Sequence, residues 1–136
     1  INLEKKFKLN NLQTFKKFDK QLKKSKNKIL NKIKKIKRKG LSISAFGSSI
    51  SSTTYLSYYN IGKYINFIVD DNKLKQGKLT PKDLIRIYPS NYLTKNLTDY
   101  IIIFAWVHTD RVIRDLKSKG YKKLKFITLY PKIKII

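Results

Sequence analysis

Cysteine is absent from the 136-residue sequence, and histidine occurs once, as His108. Without cysteine the chain has no disulfide, no thiol chemistry and no cysteine-ligated zinc site. One histidine and scattered aspartates do not form the ligand sets with which proteins hold zinc. We therefore expect no metal site and no metal catalysis.

Glutamate is nearly missing as well, since Glu4 is the single one and lies near the amino terminus. The paired carboxylates of a glycosidase, a Ser-His-Asp triad and a Walker phosphate loop cannot be assembled from this sequence. No apolar run approaches the length of a membrane span, about 18 residues, and no signal-peptide pattern is present. We expect a cytoplasmic protein without a membrane span and, because methionine is absent, a piece of a longer product.

Positive charge is abundant, with a formal net charge of +24. Residues 1–40 carry 16 of the 32 basic residues and only Glu4 and Asp19 as acids. Such clusters attract phosphate backbones. However, lysine greatly exceeds arginine, and asparagine and isoleucine are common, which is also the bias of an AT-rich genome. No RNP pattern, zinc finger or helix-turn-helix is recognisable, so we do not expect nucleic acid to be the partner, and nucleic-acid binding stays a secondary hypothesis.

A long amphipathic helix is predicted from about residue 12 to Arg38, with Gly40 as its carboxyl-terminal cap. Lysines occupy its other faces, so the domain is preceded by a basic helix over residues 1–40. Its apolar stripe is expected to pack on a sheet; a membrane-surface helix and a coiled coil are the alternatives. The stripe consists of Phe15, Phe18, Leu22, Ile29, Ile33 and Ile36.

Residues 41–136 alternate between apolar runs and helical patterns. We predict strands at 41–46, 65–69, 85–87, 100–105 and 124–129, a candidate terminal strand at 132–136, helices at about 51–60 and 109–119, and a polar turn at 72–77. Continuous apolar runs suit strands that are buried on both faces, as in parallel sheets. The pattern predicts a Rossmann-like α/β domain with a mainly parallel sheet flanked by helices.

The turn after the first strand is typical of a nucleotide site. Gly47 permits a sharp turn, and the helix that follows directs its free N–H groups and positive dipole end toward an anion such as a phosphate. Asp70 follows 23 residues later, where dinucleotide-binding folds place a ribose-binding acid. The turn has one glycine instead of three, so an ordinary turn with serine caps is an equal alternative from spacing alone.

Several motifs along the chain resemble the C-terminal domain of sugar C-methyltransferases, modular enzymes that methylate nucleotide-linked deoxysugars with S-adenosylmethionine. The resemblance spans about residues 13–136. The matching segments are Ala45–Thr54, Phe67–Asn72 with Lys75–Gly77, Pro81, Thr98–Tyr100 leading to Ala105, Trp106 and Asp110, and Leu129–Pro131. The sequence departs from the family at Ser51 and Ser52, where Lys and Gly are frequent, at Lys82, where Gly is frequent, and at 84–87, where the family often has His-Ile-Pro-Ile.

The resemblance implies that this chain recognises a nucleotide-linked sugar or glycan precursor for a parent methyltransferase. The S-adenosylmethionine domain, and often a zinc module, belong to other parts of such enzymes, so we expect no cofactor in this chain and no methylation by it alone. The alternative is a stand-alone Rossmann-like module that binds a nucleotide or another small ligand and docks an acidic partner with its basic helix.

The resemblance also indicates the residues that contact the substrate. Three of these residues have an alternative explanation. Asp70 could cap the next turn rather than contact the substrate, and Lys75 is one of many lysines. Trp106 could belong to the core rather than stack on a sugar or base. His108 is a weak candidate for proton transfer, and Asp110 is expected to cap the next helix. The predicted substrate-binding residues are Gly47, Ser48, Ser49, Ser51, Ser52, Thr53, Asp70, Lys75 and Trp106.

Overall fold

The computed structural model of the chain describes residues 2–130 and 132–136. Among these residues, six strands form one sheet: β1 (Ile43–Phe46), β2 (Ile68–Val69), β3 (Ile87–Tyr88), β4 (Tyr100–Ile103), β5 (Lys125–Thr128) and β6 (Lys134–Ile135). The spatial order is β3-β2-β1-β4-β5-β6, and among the pairings of these six strands only β5–β6 is antiparallel. The expectation of a mainly parallel α/β sheet is confirmed.

Both faces of the sheet are covered by helices, with α2 (Leu12–Arg38) and α3 (Ile50–Tyr59) on one face and α4 (Thr109–Ser118) on the other. The short helix α1 (Asn2–Lys6) precedes them and is exposed. Alternate residues of β4 point to opposite faces: Ile102 packs in the core beneath α2 and α3, whereas Ile101 and Ile103 pack in the core beneath α4. This alternation explains the continuous apolar run, because a strand buried on both faces has no solvent-facing position.

Helix α2 has the predicted bounds. Its cap residue is Lys39 rather than Gly40, which follows Lys39 in the left-handed conformation at φ +73°. The expectation that the whole stripe packs on the sheet is wrong. Ile33 is 1% exposed, but Phe15 is 55% and Phe18 is 56% exposed. A helix of 27 residues is about 40 Å long, whereas a four-residue strand such as β1 spans about 13 Å. The helix therefore extends past the edge of the core.

The strands are shorter than their apolar runs. Strand β1 begins at Ile43, and β2 contains only two residues. Ile65 and Leu129 are nevertheless buried outside any strand. An apolar run therefore predicts which residues are buried, and the buried residues extend beyond those that form the backbone hydrogen bonds of the sheet.

At the amino ends of β1 and β4, Ser42 and Asp99 connect the two strands. The Ser42 backbone N–H and hydroxyl donate to Asp99 Oδ2 at 2.7 and 2.6 Å, and the Asp99 N–H donates to Ser42 Oγ at 3.0 Å. The hydrogen bonds from Ser42 lower the pKa of the Asp99 carboxyl below its ordinary value, and the bond from the Ser42 hydroxyl has the largest effect. The charged form of Asp99 is therefore favoured by the fold.

The loop before β3 holds two non-glycine residues in the left-handed region, Lys82 at φ +66° and Leu84 at φ +51°. Thr80 fixes the loop, because its Oγ1 accepts from Ile85 N at 3.0 Å and its carbonyl accepts from Leu84 N at 3.2 Å. An L-residue in this conformation costs roughly 1–2 kcal/mol. The glycine that the resemblance leads one to expect at position 82 would avoid that cost.

Candidate ligand-binding cleft

The order of the strands reverses between β1 and β4, and a cleft opens at their carboxyl ends. In open α/β sheets this point is where ligands bind, because the loops after the two strands diverge there. The cleft has a volume of about 390 Å³. Its walls include Phe46, Gly47, Ser48, Ser49, Ser51, Asp70, Asp71, Lys75, Ala105, Trp106, Val107, His108 and Arg111.

Gly47 forms the floor where β1 meets the loop, at φ +95°. A Cβ atom there would lie 3.1 Å from both the Cβ and the backbone N of Ala105, which follows β4. The Gly47 N–H donates to Val69 O at 2.8 Å and so continues the ladder to β2. Both the conformation and the close approach of the two strand ends require glycine at this position.

The serines after Gly47 lie just before α3 and in its first turn, and their roles differ. Ser52 is buried, its Oγ accepts from Ser49 N at 2.9 Å, and its hydroxyl donates to Ser49 O at 2.6 Å. This hydroxyl caps the helix and does not line the cleft. Ser48, Ser49 and Ser51 do line it, and the Ser49 and Ser51 hydroxyls lie 2.7 Å apart. Sequence spacing could not separate the capping serine from those that face the cleft.

A second cavity, of about 740 Å³, lies on the other side of the α3 amino terminus, toward β3. It shares Ser48, Ser49, Ser51 and Lys75 with the cleft, so the two adjoin around the start of the helix, and we call them together the depression. Thr53 contributes to this second cavity only. Its other lining residues are Ile50, Leu74, Lys78, Leu79 and Ile87.

Asp70 is 8% exposed and connects the loop after β1 to the turn after β2 through its hydrogen bonds. Its Oδ2 accepts from Ser48 N at 2.6 Å, and its Oδ1 accepts from Asn72 N at 2.8 Å. Lys75 Nζ lies 3.6 Å from the same Oδ2. Asp70 therefore caps the turn at Asn72, the alternative expected from the sequence, and also fixes the loop above α3. Each carboxylate oxygen still has a second lone pair for a ligand hydroxyl.

Trp106 lies on the opposite wall, in a 3-10 turn between β4 and α4. It is 42% exposed, and its ring contacts Tyr130 edge to face at a centroid distance of 4.7 Å. Its position is therefore the wall of the cleft rather than the interior of the core. His108 is exposed and also lines the cleft. Asp110 is not the cap of α4, because the helix begins one residue earlier and Asp110 lies in its first turn.

Three kinds of residue around the depression were not singled out from the sequence. Arg111, in the first turn of α4, lines the cleft. Lys78 adds a second amine, besides Lys75, to the second cavity. Ile50 and Leu74 expose apolar side chains at the rim of that cavity. The position of Arg111 could have been inferred, since the first turn of a helix that follows a switch-point strand faces the cleft. Lys78 had no distinguishing signal among so many lysines.

A family model described as the C-methyltransferase C-terminal domain matches residues 1–131. This chain belongs to that family. A curated relative, the C-methyltransferase NovU of Streptomyces niveus, is 26% identical over 98 residues, which are 71% of this chain and 23% of NovU. The chain of this C-terminal domain thus spans about a quarter of the length of that relative. The family membership confirms the resemblance found in the motifs.

The fold of this C-terminal domain is also similar to a solved structure, the UDP-D-quinovosamine 4-dehydrogenase of Vibrio fischeri. The TM-score is 0.51 at 16% identity, and the match covers 71% of this chain and 93% of the other. At this low identity, the structural likeness shows a shared Rossmann-type fold and nothing about the ligand.

No helix in residues 2–130 and 132–136 has the length and apolar character needed to cross a membrane, and these residues contain no cluster of candidate metal ligands.

Proposed function

We propose that this C-terminal domain binds a nucleotide-linked sugar, or a related glycan precursor, for a parent C-methyltransferase whose other parts hold S-adenosylmethionine. The observation that carries the proposal is the depression around the amino terminus of α3. It places the positive end of the helix, serine hydroxyls and the Lys75 amine together at the switch point of a Rossmann-type sheet.

The charge of the depression favours an anionic ligand. A helix amino terminus carries about half a positive charge, and Lys75, Lys78 and Arg111 stand around it. Asp70 offsets part of this charge, but its oxygens already accept two backbone N–H groups. A diphosphate, with hydroxyl-bearing groups on either side, matches this arrangement: amines and N–H groups for the phosphates, and carboxylate and serine oxygens for the hydroxyls.

The same charge disfavours S-adenosylmethionine at this site. That cofactor supplies a methyl group from a sulfonium cation, and neither the sulfonium nor its ammonium gains from a helix amino terminus flanked by lysines. We infer that the cofactor is held by the part of the parent enzyme outside this chain.

In this account, the residues of this chain position the substrate and exclude water rather than transfer protons. Lys75 and the α3 amino terminus hold the phosphates, Asp70 accepts from a hydroxyl, and Trp106 offers a flat apolar face to a sugar ring. Such fixing of the substrate lowers the barrier by removing its freedom of motion before reaction. His108, exposed at the rim, is not needed for these roles.

The proposal is tested by calorimetric titration and thermal shift of the chain with UDP-glucose, dTDP-glucose and S-adenosylmethionine. A nucleotide-sugar is expected to bind saturably and raise the melting temperature. Lys75→Gln is expected to weaken its binding at least about tenfold, since hydrogen bonds to charged groups contribute about 1.5–3 kcal/mol. The matched control is Lys73→Gln, which removes the same charge outside both cavities and should change affinity less than twofold.

Equal losses in the two lysine variants would contradict the proposal, because they would show attraction to the general positive charge. A steep loss of binding at higher salt, equal for both variants, would favour the nucleic-acid hypothesis. Binding of S-adenosylmethionine instead of either nucleotide-sugar would refute the assignment of the cleft.

A further inference from the structure

The amino-terminal part of the chain exposes six large apolar side chains, on α1, in the turn after it and on the first half of α2. Each side chain is between 45% and 68% exposed, whereas the carboxyl-terminal half of α2 buries its isoleucines almost completely. We call this cluster the overhanging face. Its members are Leu3, Phe7, Leu9, Leu12, Phe15 and Phe18.

The α2 part of the overhanging face points to the same side as the core. With 3.6 residues per turn, Phe15, Phe18 and Leu22 fall within an arc of about 60° that also contains Ile29 and Ile33. Those two isoleucines pack on the sheet. The stripe therefore continues past the edge of the domain while still facing the side on which the domain body lies. The exposed half of α2 around Phe15 and Phe18 and the adjacent domain body thus enclose a concave angle, which we call the corner.

The charges around this corner are almost all positive. Lys16, Lys17, Lys20 and Lys23 lie on the flanks and back of the exposed stretch, and Asp19 is tied to Lys23 by an ion pair at 2.7 Å. A second copy would bring the same charges against these, so self-association is opposed. A surface with acidic residues around an apolar patch would complement both features.

The shape of the corner distinguishes among anionic partners. A flat membrane could not reach Phe15 and Phe18 along the whole stripe, because the domain body stands on the same side. Nucleic acid would use the lysines and leave the phenylalanines exposed. A protein surface can fill the corner, and about three quarters of NovU lies outside the region that this chain matches.

We propose that the overhanging face docks onto an acidic-rimmed apolar surface of the catalytic part of the parent C-methyltransferase. This rests on the proposed function in one respect, that the chain acts as part of a larger enzyme. The docking places the ligand cleft at a fixed position relative to the methyl donor, and it does so through α2 without using the residues of the cleft.

The test uses the full-length parent protein with a specific protease site introduced before residue 1. After cleavage, the two pieces are passed over a size-exclusion column without any substrate. They are expected to elute together at low salt, and the double variant Phe15→Gln/Phe18→Gln is expected to weaken their association at least about tenfold. The control is Lys20→Gln, on the back of the helix, which should lower the association less than twofold.

Co-elution of the double variant to the same extent as the unmodified protein would overturn the proposal, as would separation of the unmodified pieces. Circular dichroism verifies that the variants fold, since the exposed phenylalanines contribute little to the core. In a parallel arm the chain is mixed with vesicles of phosphatidylcholine and phosphatidylserine. Vesicle binding that depends on Phe15 and Phe18, with co-elution unaffected, would assign the face to a membrane and also overturn the proposal. Because no ligand is present, failure of nucleotide-sugar binding would not alter this result.

Discussion

Substitution of Gly47 tests whether the two strand ends must approach as closely as described. Gly47 and Gly120 have nearly the same φ, +95° and +94°, but a Cβ at Gly120 meets nothing within 4 Å. Gly47→Ala and Gly120→Ala therefore share the cost of a left-handed alanine, about 1–2 kcal/mol. Both also gain about 0.4–1 kcal/mol, because alanine restricts the unfolded chain. The net cost common to both is about 0.5–1 kcal/mol.

Only Gly47→Ala adds the contact of 3.1 Å with Ala105. Because the backbone N of Ala105 is one of the two contacted atoms, the neighbour can yield only by moving the backbone that follows β4, and overpacking of this kind costs about 1–3 kcal/mol. We expect a total loss of about 1.5–4 kcal/mol for Gly47→Ala. For a chain of this size 1 kcal/mol corresponds to about 4 °C, so the melting temperature should fall by about 6–16 °C, against about 2–4 °C for Gly120→Ala.

Calorimetric melting of both variants in the same buffer measures the difference directly. Equal losses would refute the argument, since they would show that the left-handed conformation and not the approach to Ala105 requires glycine. A smaller loss for Gly47→Ala than for Gly120→Ala would refute it more strongly. A titration of Gly47→Ala with UDP-glucose should also show weaker binding, because movement at residue 47 displaces the loop that Asp70 holds through Ser48 N.

Two further substitutions address stability away from the cleft. Asp99→Asn should lower the free energy of unfolding at pH 7 by less than about 1 kcal/mol, because the carboxyl is exposed and solvent screens its contribution. Because the folded-state pKa of Asp99 is lowered, this contribution is present above the ordinary aspartate value near 3.9 and is lost as pH falls through the folded value. Denaturant unfolding should therefore show the loss at pH 7 and a smaller loss as pH falls below about 3.9, and a difference that grows in that direction would contradict the reasoning. Lys82→Gly should raise stability by about 0.5–1 kcal/mol, because relief of the left-handed conformation exceeds the entropy cost of glycine, whereas the control Lys73→Gly should lower it; stabilisation by both, or by neither, would show that the conformation of residue 82 is not strained.

The sequence allowed the architecture to be predicted because the signals were long and periodic. The stripe of α2, the apolar runs of β1, β4 and β5, and the glycine after β1 each specify an element by a physical mechanism that acts locally. The strand ends were less predictable, since apolar residues such as Ile65 are buried without pairing. Periodicity identified the face of α2 that is apolar, but not where the sheet beneath it ends. Phe15 and Phe18 were therefore placed in the core incorrectly.

The candidate cleft was partly predictable for the same reason. Strand ends that meet at a switch point bring Gly47, Asp70 and Trp106 to one place, and topology alone implies this. Which serines line the cleft could not be predicted, because this depends on the side-chain directions around the first turn of α3. The Ser52 hydroxyl turns toward the Ser49 backbone and caps the helix. The contribution of Lys78 and Arg111 depended on which of many similar basic residues face the depression, and composition carries no such information.

The central claim, that the depression around the α3 amino terminus binds a nucleotide-linked sugar, is tested most directly by a nitrogen-15 NMR titration of the chain with UDP-glucose and dTDP-glucose. The account predicts saturable shifts for the amides of residues 48–51 and Lys75 and for the indole N–H of Trp106, with the amides of residues 5–39 unchanged. Shifts confined to the lysine-rich residues 5–39, or no shift at any residue up to millimolar ligand, would contradict it.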